Sequence, residues 1–223
     1  MEKRSPVSPL PPGQVIRSDF PRFGVSASAK FDIPQTEHAN ITIRGDLETF
    51  TLRYADLAAL ERVSVSADFH CVTTWCYPDV GWSGFRFRDV YEHLVKPHLP
   101  AQMTPSIMAF KGLDRYKSSL LLEDALADNV LIADQLDGAA LSAQHGAPLR
   151  LVAPAHYGYK NVKHLTSIEL WRDVPSYRSF MPHIMEHPRA RIAYEERGRY
   201  LPGWIFRYLY RPLVGRTVRK MNP

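Results

Sequence analysis

The chain has 223 residues, of which 45% are hydrophobic and 23% are charged. That content is sufficient for a well-filled core and argues against a disordered or fibrous protein. Eighteen prolines and twelve glycines favour a loop-rich protein of mixed α and β structure over a helical bundle. No apolar run approaches the ~20 residues of a membrane span, and the first residues lack the pattern of a secretory signal. We therefore expect a cytoplasmic protein without a transmembrane segment.

Charge is distributed unevenly along the chain. The net charge is +5, yet residues 186–223 contain nine Lys or Arg and three Glu, which leaves 19 basic and 20 acidic residues before them. Aromatic residues interleave with the basic ones near the end. We expect residues 176–223 to form a basic aromatic arm that packs on the body or docks an acidic electron-transfer protein. A surface for nucleic acid or an anionic membrane is the alternative, and nucleic-acid binding is not expected.

The first predicted elements follow a leader. Residues 1–14 contain four prolines and little hydrophobic content, which predicts a flexible segment. Alternating apolar residues predict a strand over 40–44 that turns at Gly45. Thr51 is then predicted to cap a short helix that carries Leu52, Leu57 and Leu60 on one side.

The middle of the chain alternates between strands and helices. A strand is predicted over 62–67 that continues toward Cys71, followed by a loop rich in Pro, Gly and Trp. A helix is predicted over 87–95 and is stopped by Pro97. Apolar content predicts four further strands, over 106–111, 129–135, 149–153 and 165–171. An Asp137-Gly138 turn is predicted between the second and the third of them. This order predicts one domain of mixed α and β structure over 15–175.

The two cysteines are Cys71 and Cys76. Cys71 lies where a strand gives way to a loop, a usual place for a functional side chain. Taken alone, it is more typical of a small buried hydrophobic residue than of a ligand. Two thiols are too few for an iron–sulfur cluster, and no haem-attachment sequence occurs. A disulfide is disfavoured without an export signal, and a zinc site from these cysteines and His70 lacks a fourth ligand.

A second group of candidate residues lies between His145 and Lys163. Arg150 offers a planar donor fork, Lys160 and Lys163 offer point charges, and an intervening glycine lets the backbone approach a ligand closely. This set is suited to binding a phosphate dianion. A solvated basic loop between two strands is the alternative, since lysines three apart are common on protein surfaces.

Three separated motifs occur together in the order of a known family. They are Arg17-Ser-Asp-Phe-Pro21, Cys71-Val-Thr-Thr-Trp75, and His145-Gly-Ala-Pro-Leu-Arg150 with Tyr157-Gly-Tyr-Lys-Asn-Val-Lys163. Over roughly residues 15–175 the chain resembles the molybdopterin-binding domain of the sulfite oxidase family. The resemblance implies an α+β fold with mixed sheets, in a single domain without the immunoglobulin-like dimerisation domain of sulfite oxidases.

The same resemblance implies a cofactor and its ligands. Cys71 matches the cysteine that binds molybdenum beside the two dithiolene sulfurs of a single pyranopterin, as a soft thiolate should. The phosphate-binding residues of the family match His145, Arg150, Asn161, Val162 and Lys163, with Lys160 as an addition. Further cofactor contacts match Pro21, Arg22, Gly112 and Asp114. Trp75 and Trp82 are candidates for the pocket wall, although ordinary core packing is favoured for Trp82.

The chain also departs from sulfite oxidases. Cys76 stands where those enzymes carry an arginine for their anionic substrate, whereas Arg17 matches the other substrate arginine. The spacing Cys71-Val-Thr-Thr-Trp75 is more similar to that of the bacterial methionine sulfoxide reductase catalytic subunit and its cytoplasmic relatives. The resemblance implies oxygen-atom transfer on a small or sulfoxide-type substrate, with Cys71 and Arg17 as catalytic residues and electrons exchanged with a separate protein. The alternative is a molybdopterin-binding or carrier protein without turnover.

Overall fold

The computed structural model describes residues 4–23, 39–173 and 186–221. Within these ranges lie eleven strands and five α-helices. The strands are β1 (Val15–Ile16), β2 (Ile41–Gly45), β3 (Leu47–Leu52), β4 (Arg62–His70), β5 (Trp75–Arg86), β6 (Ile107–Gly112), β7 (Lys117–Leu121), β8 (Leu131–Leu136), β9 (Ala139–Ala140), β10 (Arg150–Val152) and β11 (Leu165–Trp171). The α-helices are α1 (Tyr54–Ala58), α2 (Phe87–Asp89), α3 (Leu122–Ala125), α4 (Gly203–Tyr210) and α5 (Leu213–Met221). The first three residues of the predicted leader and residues 176–185 of the predicted arm lie outside the described ranges.

The strands form two mixed sheets. One has the order β3-β2-β11-β6-β7, in which β11 runs parallel to β2 and antiparallel to β6. The other has six strands, in the order β1-β5-β8-β10 with β4 paired to β5 and β9 paired to β8. In that sheet β1 runs parallel to β5, and the other pairs are antiparallel. The predicted α+β architecture with mixed sheets is confirmed.

A single large hydrophobic cluster joins the two sheets. Ile43, Phe110 and Ile168 from the first sheet and Phe85 and Leu151 from the second belong to it, and each is at most 1% exposed. Burying side chains of this size stabilises the fold by roughly 1.5–3 kcal/mol each. The two sheets therefore form one folding unit, and the loops at their edges are held in fixed positions.

The helix predicted over 87–95 is present. It begins as α2 and continues as a π-helix over Val90–Val95 and a 3₁₀ turn over Lys96–His98 that contains Pro97. Its buried side chains join the large cluster through Phe87, Val90, Tyr91 and Val95. The strands predicted over 40–44, 62–67, 106–111, 129–135, 149–153 and 165–171 correspond to β2, β4, β6, β8, β10 and β11.

The prediction of a loop after Cys71 is wrong over most of its length. After one turn the chain forms β5, the longest of the described strands. Pro78 falls where the register with β4 shifts, a place where a strand tolerates proline. Gly84 lies against β8 so closely that a Cβ atom there would come within 2.2 Å of the carbonyl oxygen of Ile132. Residues that usually mark loops therefore mark bulges and a close approach of two strands.

The helix predicted to start at Thr51 begins later. Thr51 and Leu52 belong to β3, where they pair with Thr42 and Ile41 of β2. Strand pairing thus outweighs the capping preference of threonine. The helix α1 starts at Tyr54. At its N-terminus the Asp56 carboxylate accepts a hydrogen bond from the backbone N–H of Arg53 at 2.7 Å.

The described part of the predicted leader is bound to the body. The Asp68 carboxylate accepts hydrogen bonds from the backbone N–H groups of Val7 at 2.9 Å, Ser8 at 3.2 Å and Asp79 at 3.0 Å. Arg4 pairs with Asp137 at 2.6 Å. From Arg4 onward this differs from the expectation of a flexible segment, because a single buried carboxylate satisfies the backbone donors of an extended stretch.

We expect Asp68→Ala to detach this stretch and lower the free energy of unfolding by about 1.5–3 kcal/mol at neutral pH, the range for hydrogen bonds to a charged group. Burial of Asp68 opposes ionisation, but the donors of Val7, Asp79 and Ser8 keep the pKa of its carboxyl below the ordinary value. The stabilisation is therefore complete above the unfolded pKa and is lost as the pH falls through the folded pKa. Urea denaturation between pH 3 and pH 7 measures the effect, with exposed Glu48→Ala as control. Equal stability of Asp68→Ala and wild type at pH 7 would contradict it.

The basic arm also packs on the body. Arg197 is fully buried and donates hydrogen bonds to the carbonyl oxygens of Val72 and Pro12. Phe206 and Tyr210 of α4 are buried as well. Among the described helices, none combines the length and the apolar content that crossing a bilayer requires.

Candidate active site

A cavity of about 280 Å³ lies where the turn after β4, the strand β10, the segment 157–164 and the arm meet. Its walls combine aromatic side chains, three cationic side chains and one thiol. They are Phe20, Pro21, Arg22, Phe23, Phe69, Cys71, Val72, Thr73, Trp75, Asp114, Tyr116, Arg150, Gly158, Tyr159, Asn161, Lys163, His164, Tyr210, Leu213, Thr217 and Met221.

The thiol is that of Cys71, in a tight turn between β4 and β5. The backbone N–H of Cys71 donates to the carbonyl of Trp75 at 2.8 Å, and that of Thr74 donates back to Cys71 at 3.2 Å. The turn places Thr73 Oγ1 3.1 Å from Cys71 Sγ. Burial raises the pKa of the Cys71 thiol, whereas the Thr73 hydrogen bonds and the positive charge of Arg197 oppose this rise. A bound cation at the sulfur would favour the thiolate further.

Cys76 is in a different environment. It lies in β5 opposite His70, is fully buried, and is absent from the cavity wall. Burial and then the nearby Asp68 carboxylate raise the pKa of its thiol to about 12. Neither cysteine is in a disulfide. Of the two thiols, only that of Cys71 is therefore placed to bind a ligand in the cavity.

Arg150 supplies a buried guanidinium to the same cavity. It is 1% exposed, its carbon Cζ lies 4.6 Å from the ring centroid of Trp82, and Nη1 donates to the carbonyl of His145 at 2.7 Å. Nε and Nη2 have no hydrogen-bond partner among the residues that the structure describes. Burial lowers the pKa of Arg150 to about 9. Unsatisfied buried donors on a cation are costly, so the site is built for an anionic acceptor.

Two further basic residues surround this guanidinium. Lys163 Nζ donates to the carbonyl of Gln144 at 2.8 Å, and burial followed by the charges of Arg150 and Arg22 lowers its pKa to about 7. Burial, then Lys163 and Arg150, lower the pKa of His145 to about 4, and its Nδ1 has no partner in the described part of the chain. A phosphate dianion would offset the repulsion among these cations and accept hydrogen bonds from Nε and Nη2 of Arg150.

The chain matches the model of a known protein family. A model described as oxidoreductase molybdopterin binding domain matches residues 30–178. The chain belongs to this family of molybdopterin-binding oxidoreductases. The predicted kinship with the sulfite oxidase family is thereby confirmed, and the cofactor of the family contains molybdenum and a pterin.

Curated relatives and a solved structure agree with this assignment. The chain is 28% identical over 168 residues to the uncharacterized oxidoreductase YuiH of Bacillus subtilis, covering 74% of this chain and 80% of that protein. It is 30% identical over 177 residues to the protein-methionine-sulfoxide reductase catalytic subunit MsrP of Campylobacter jejuni, covering 72% of this chain and 58% of that protein. The sulfane dehydrogenase SoxCD of Paracoccus pantotrophus shares the fold, with a TM-score of 0.56 and 18% identity over 72% of this chain and 46% of that chain.

The residues of this molybdopterin-binding domain fit the cofactor. The two unsatisfied donors of Arg150, with Lys163 beside them, fit its phosphate, and the thiol of Cys71 fits the soft metal. His145, also predicted as a phosphate contact, lies near these cations but is not among the residues that line the cavity. Pro21, Arg22, Asp114 and Asn161, all predicted as cofactor contacts, line the cavity as well. Gly112 lies just outside, where a Cβ atom would come within 2.3 Å of the carbonyl oxygen of Lys163. Gly112 therefore lets β6 approach the segment that carries Lys163.

The structure does not bring every predicted residue to the cavity. Arg17 pairs with Asp19 at 2.8 Å and is not among the lining residues. Val162 is a fully buried member of the large hydrophobic cluster. Lys160 points toward the arm, where its ammonium donates to the carbonyl of Pro188 at 2.9 Å and lies 3.4 Å from Glu186. Trp82 packs in a smaller cluster beneath Arg150, as expected, whereas Trp75 lines the cavity.

Sequence reasoning missed three contributions to the site. Thr73 lies inside the quoted motif, but its contact with sulfur depends on the turn that follows Cys71. Arg197 lies far along the chain, and only the docking of the arm brings it to Val72. The third contribution is the side of α5 that lines the cavity. The amphipathic spacing of that helix was visible in the sequence, but its partner surface was not.

Proposed function

We propose that the chain transfers an oxygen atom to or from a small sulfoxide-type substrate, using molybdenum held by a single pyranopterin. The observation that carries this proposal is that one cavity contains both the Cys71 thiol and the unsatisfied guanidinium of Arg150. A metal bound at the sulfur and a phosphate bound at the guanidinium can then belong to one cofactor. When bound, the cofactor supplies a metal that changes its oxidation state by two electrons as an oxygen atom is transferred.

The protein side chains prepare this cavity in three ways. Cys71 offers its thiolate to the metal, and Thr73 holds the sulfur in position. Phe20, Phe69 and Trp75 pack against one another with tilted rings, whose centroids are 5.0 Å apart for Phe20 and Phe69 and 5.7 Å apart for Phe69 and Trp75. This aromatic wall excludes water, which strengthens the electrostatic contacts inside.

The placement of the charged residues favours a neutral substrate over sulfite. Arg17 pairs with Asp19 through Nη2, its Nε has no partner among the described residues, and it does not line the cavity. Cys76, which stands at the other sulfite oxidase position, is buried outside the cavity. The cations that do line the cavity surround the proposed phosphate site. A sulfoxide needs no counter-charge: two electrons and two protons convert it to a thioether and water. The name of the MsrP relative, a protein-methionine-sulfoxide reductase, supports a sulfoxide as the substrate class.

We also propose that a separate protein supplies or removes the electrons, and that the chain works in the cytoplasm. Among the described residues, no group of three His, Cys, Asp or Glu side chains converges that could hold a second metal ion. The two free thiols are consistent with a reducing compartment. Cell fractionation tests the location, and reduction kinetics with candidate electron-transfer proteins test the partner.

Protein made in a host that synthesises the cofactor tests the proposed activity. Elemental analysis and pterin fluorescence should find stoichiometric molybdenum and pterin. The loaded protein should reduce dimethyl sulfoxide and free methionine sulfoxide with a reduced viologen dye as electron donor. Full molybdenum content without turnover of sulfoxides or sulfite would contradict an enzyme and favour a carrier protein. Sulfite oxidation without sulfoxide reduction would contradict the proposed substrate class.

A further inference from the structure

Helix α5 has two chemically different faces. Leu213, Thr217 and Met221 occur at intervals of four residues, and all three line the cavity that contains Cys71. The exposed basic residue Arg219 lies on the opposite face, and the exposed Arg216 and Lys220 flank the inner face. Since residues four apart share one side of a helix, α5 is a continuous wall for the cavity on one side and a solvated basic surface on the other. Tyr210 of α4 extends the same wall.

The wall is fastened close to the thiol. The Glu195 carboxylate accepts hydrogen bonds from Arg197 and from Arg207 of α4. Arg197, whose side chain is fully buried, also donates to the carbonyl of Val72, the residue after Cys71. Gly203, at the start of α4, lies so close to Glu195 that a Cβ atom would come within 2.0 Å of its carbonyl oxygen. Any shift of α4 therefore disturbs the partly buried ion pair between Arg207 and Glu195.

A second fastening holds the start of the arm. Lys160 is buried, and its ammonium donates to the carbonyl of Pro188 and pairs with Glu186. Arg189 pairs with Asp124 of α3. The arm is thus attached at its start and around Glu195, ahead of α5, by pairs that include buried charges. Breaking such pairs by removing one partner is strongly destabilising, so α4 and α5 belong to the resting structure of the cavity.

We propose that α4 and α5 form the wall that limits substrate size, with Thr217 and Met221 as specificity-determining residues that restrict the enzyme to small free sulfoxides. This inference rests on the proposed function. The cavity of about 280 Å³ must accommodate reacting cofactor atoms as well as substrate, and Leu213, Thr217 and Met221 of α5 occupy part of its wall. Methionine sulfoxide within a folded protein is therefore excluded, whereas a sulfoxide with two small apolar groups fits among Val72, Leu213 and Met221.

Two variants on the inner face and one on the outer face test the wall. Met221→Ala enlarges the cavity and should raise the kcat/KM ratio of methyl phenyl sulfoxide to dimethyl sulfoxide by roughly tenfold or more, the range for a small change of pocket volume. Thr217→Leu should lower the same ratio. Arg219→Ala, an exposed change on the opposite side of the same helix, should leave it unchanged. The wild-type enzyme should reduce dimethyl sulfoxide but not an oxidised folded protein.

Binding of unreactive ligands gives a readout that does not depend on turnover. Calorimetric titration of the cofactor-loaded variants with dimethyl sulfone and methyl phenyl sulfone should show the same change in preference. An unchanged preference between the methyl phenyl and dimethyl compounds in both inner-face variants would contradict the proposal that α5 limits substrate size. A loss of pterin that fully accounts for the altered activity would contradict it as well. Reduction of an oxidised folded protein at the rate of free methionine sulfoxide would also overturn it. If no sulfoxide is turned over but the binding preference between the two sulfones changes in the inner-face variants, the proposed function is wrong and the role of α5 in limiting ligand size is supported.

Discussion

Replacing Cys71 with Ser is expected to reduce turnover per chain by more than a hundredfold while the fold is retained. A hydroxyl has nearly the volume of a thiol but is a poor ligand for a soft metal. Even residues that only support a metal ligand cost about 10–100-fold when they are changed, so the ligand itself should cost more. Steady-state kinetics with a dye donor, together with molybdenum analysis and circular dichroism, measures the three quantities separately.

Cys76→Ser is the matched control for this variant. Cys76 is equally buried but lies outside the cavity, so the change should lower stability through a buried hydroxyl, by about 1–3 kcal/mol, and leave kcat per molybdenum unchanged. Equal losses of turnover and of metal in the two variants would show that Cys71 is not the specific ligand, or that both thiols act together.

Replacing Arg150 or Lys163 with Met should have opposite effects on the cofactor and on the empty protein. Each charge-assisted contact to a phosphate is worth about 1.5–3 kcal/mol, so its loss should weaken cofactor binding roughly tenfold to a hundredfold. Without a phosphate, however, the Arg150 guanidinium is a buried charge with two unsatisfied donors. An apolar side chain of similar volume should therefore leave the empty protein as stable as wild type or more stable.

Pterin content at limiting cofactor supply and thermal unfolding of the empty protein test both effects. Arg88→Met is the control, since Arg88 is half-exposed and pairs with Asp128 away from the cavity. Full pterin content in Arg150→Met and Lys163→Met would place the phosphate site elsewhere and return these residues to the role of a basic loop. Marked destabilisation of the empty Arg150→Met protein would show that this guanidinium has a structural role.

The basic site illustrates what the sequence could predict. His145, Arg150 and Lys163 lie in loops and in a short strand, yet their charge and spacing were sufficient to group them before any geometry was known. Lys160 and Lys163 have the same charge and differ by three positions, and spacing alone did not separate them. The fold does so, because the 3₁₀ turn Gly158–Lys160 directs Lys160 to the arm while Lys163 remains beside Arg150.

The errors in the predicted fold have a common cause, which is strand pairing over long sequence distances. Local composition around Pro78 and Gly84 indicates a loop, but pairing with β4 and β8 makes it a strand. Thr51 has a local preference for a helix cap, but its partner in β2 places it in a sheet. The arm shows the same limit: its apolar content predicted that it folds onto something, and only the contacts of Arg197 show where.

The contacts of Arg197 also set an order of assembly. Its partners Val72 and Pro12 precede it by 125 and 185 residues, so these hydrogen bonds form only after the body has been synthesised. Helix α5 follows later still, and during synthesis the cavity stays open on that side. A cofactor delivered to the growing chain therefore meets an accessible thiol and an accessible phosphate site. A cofactor delivered to the finished protein meets a cavity already lined by α5, while Arg197 and Lys160 hold the preceding part of the arm in place.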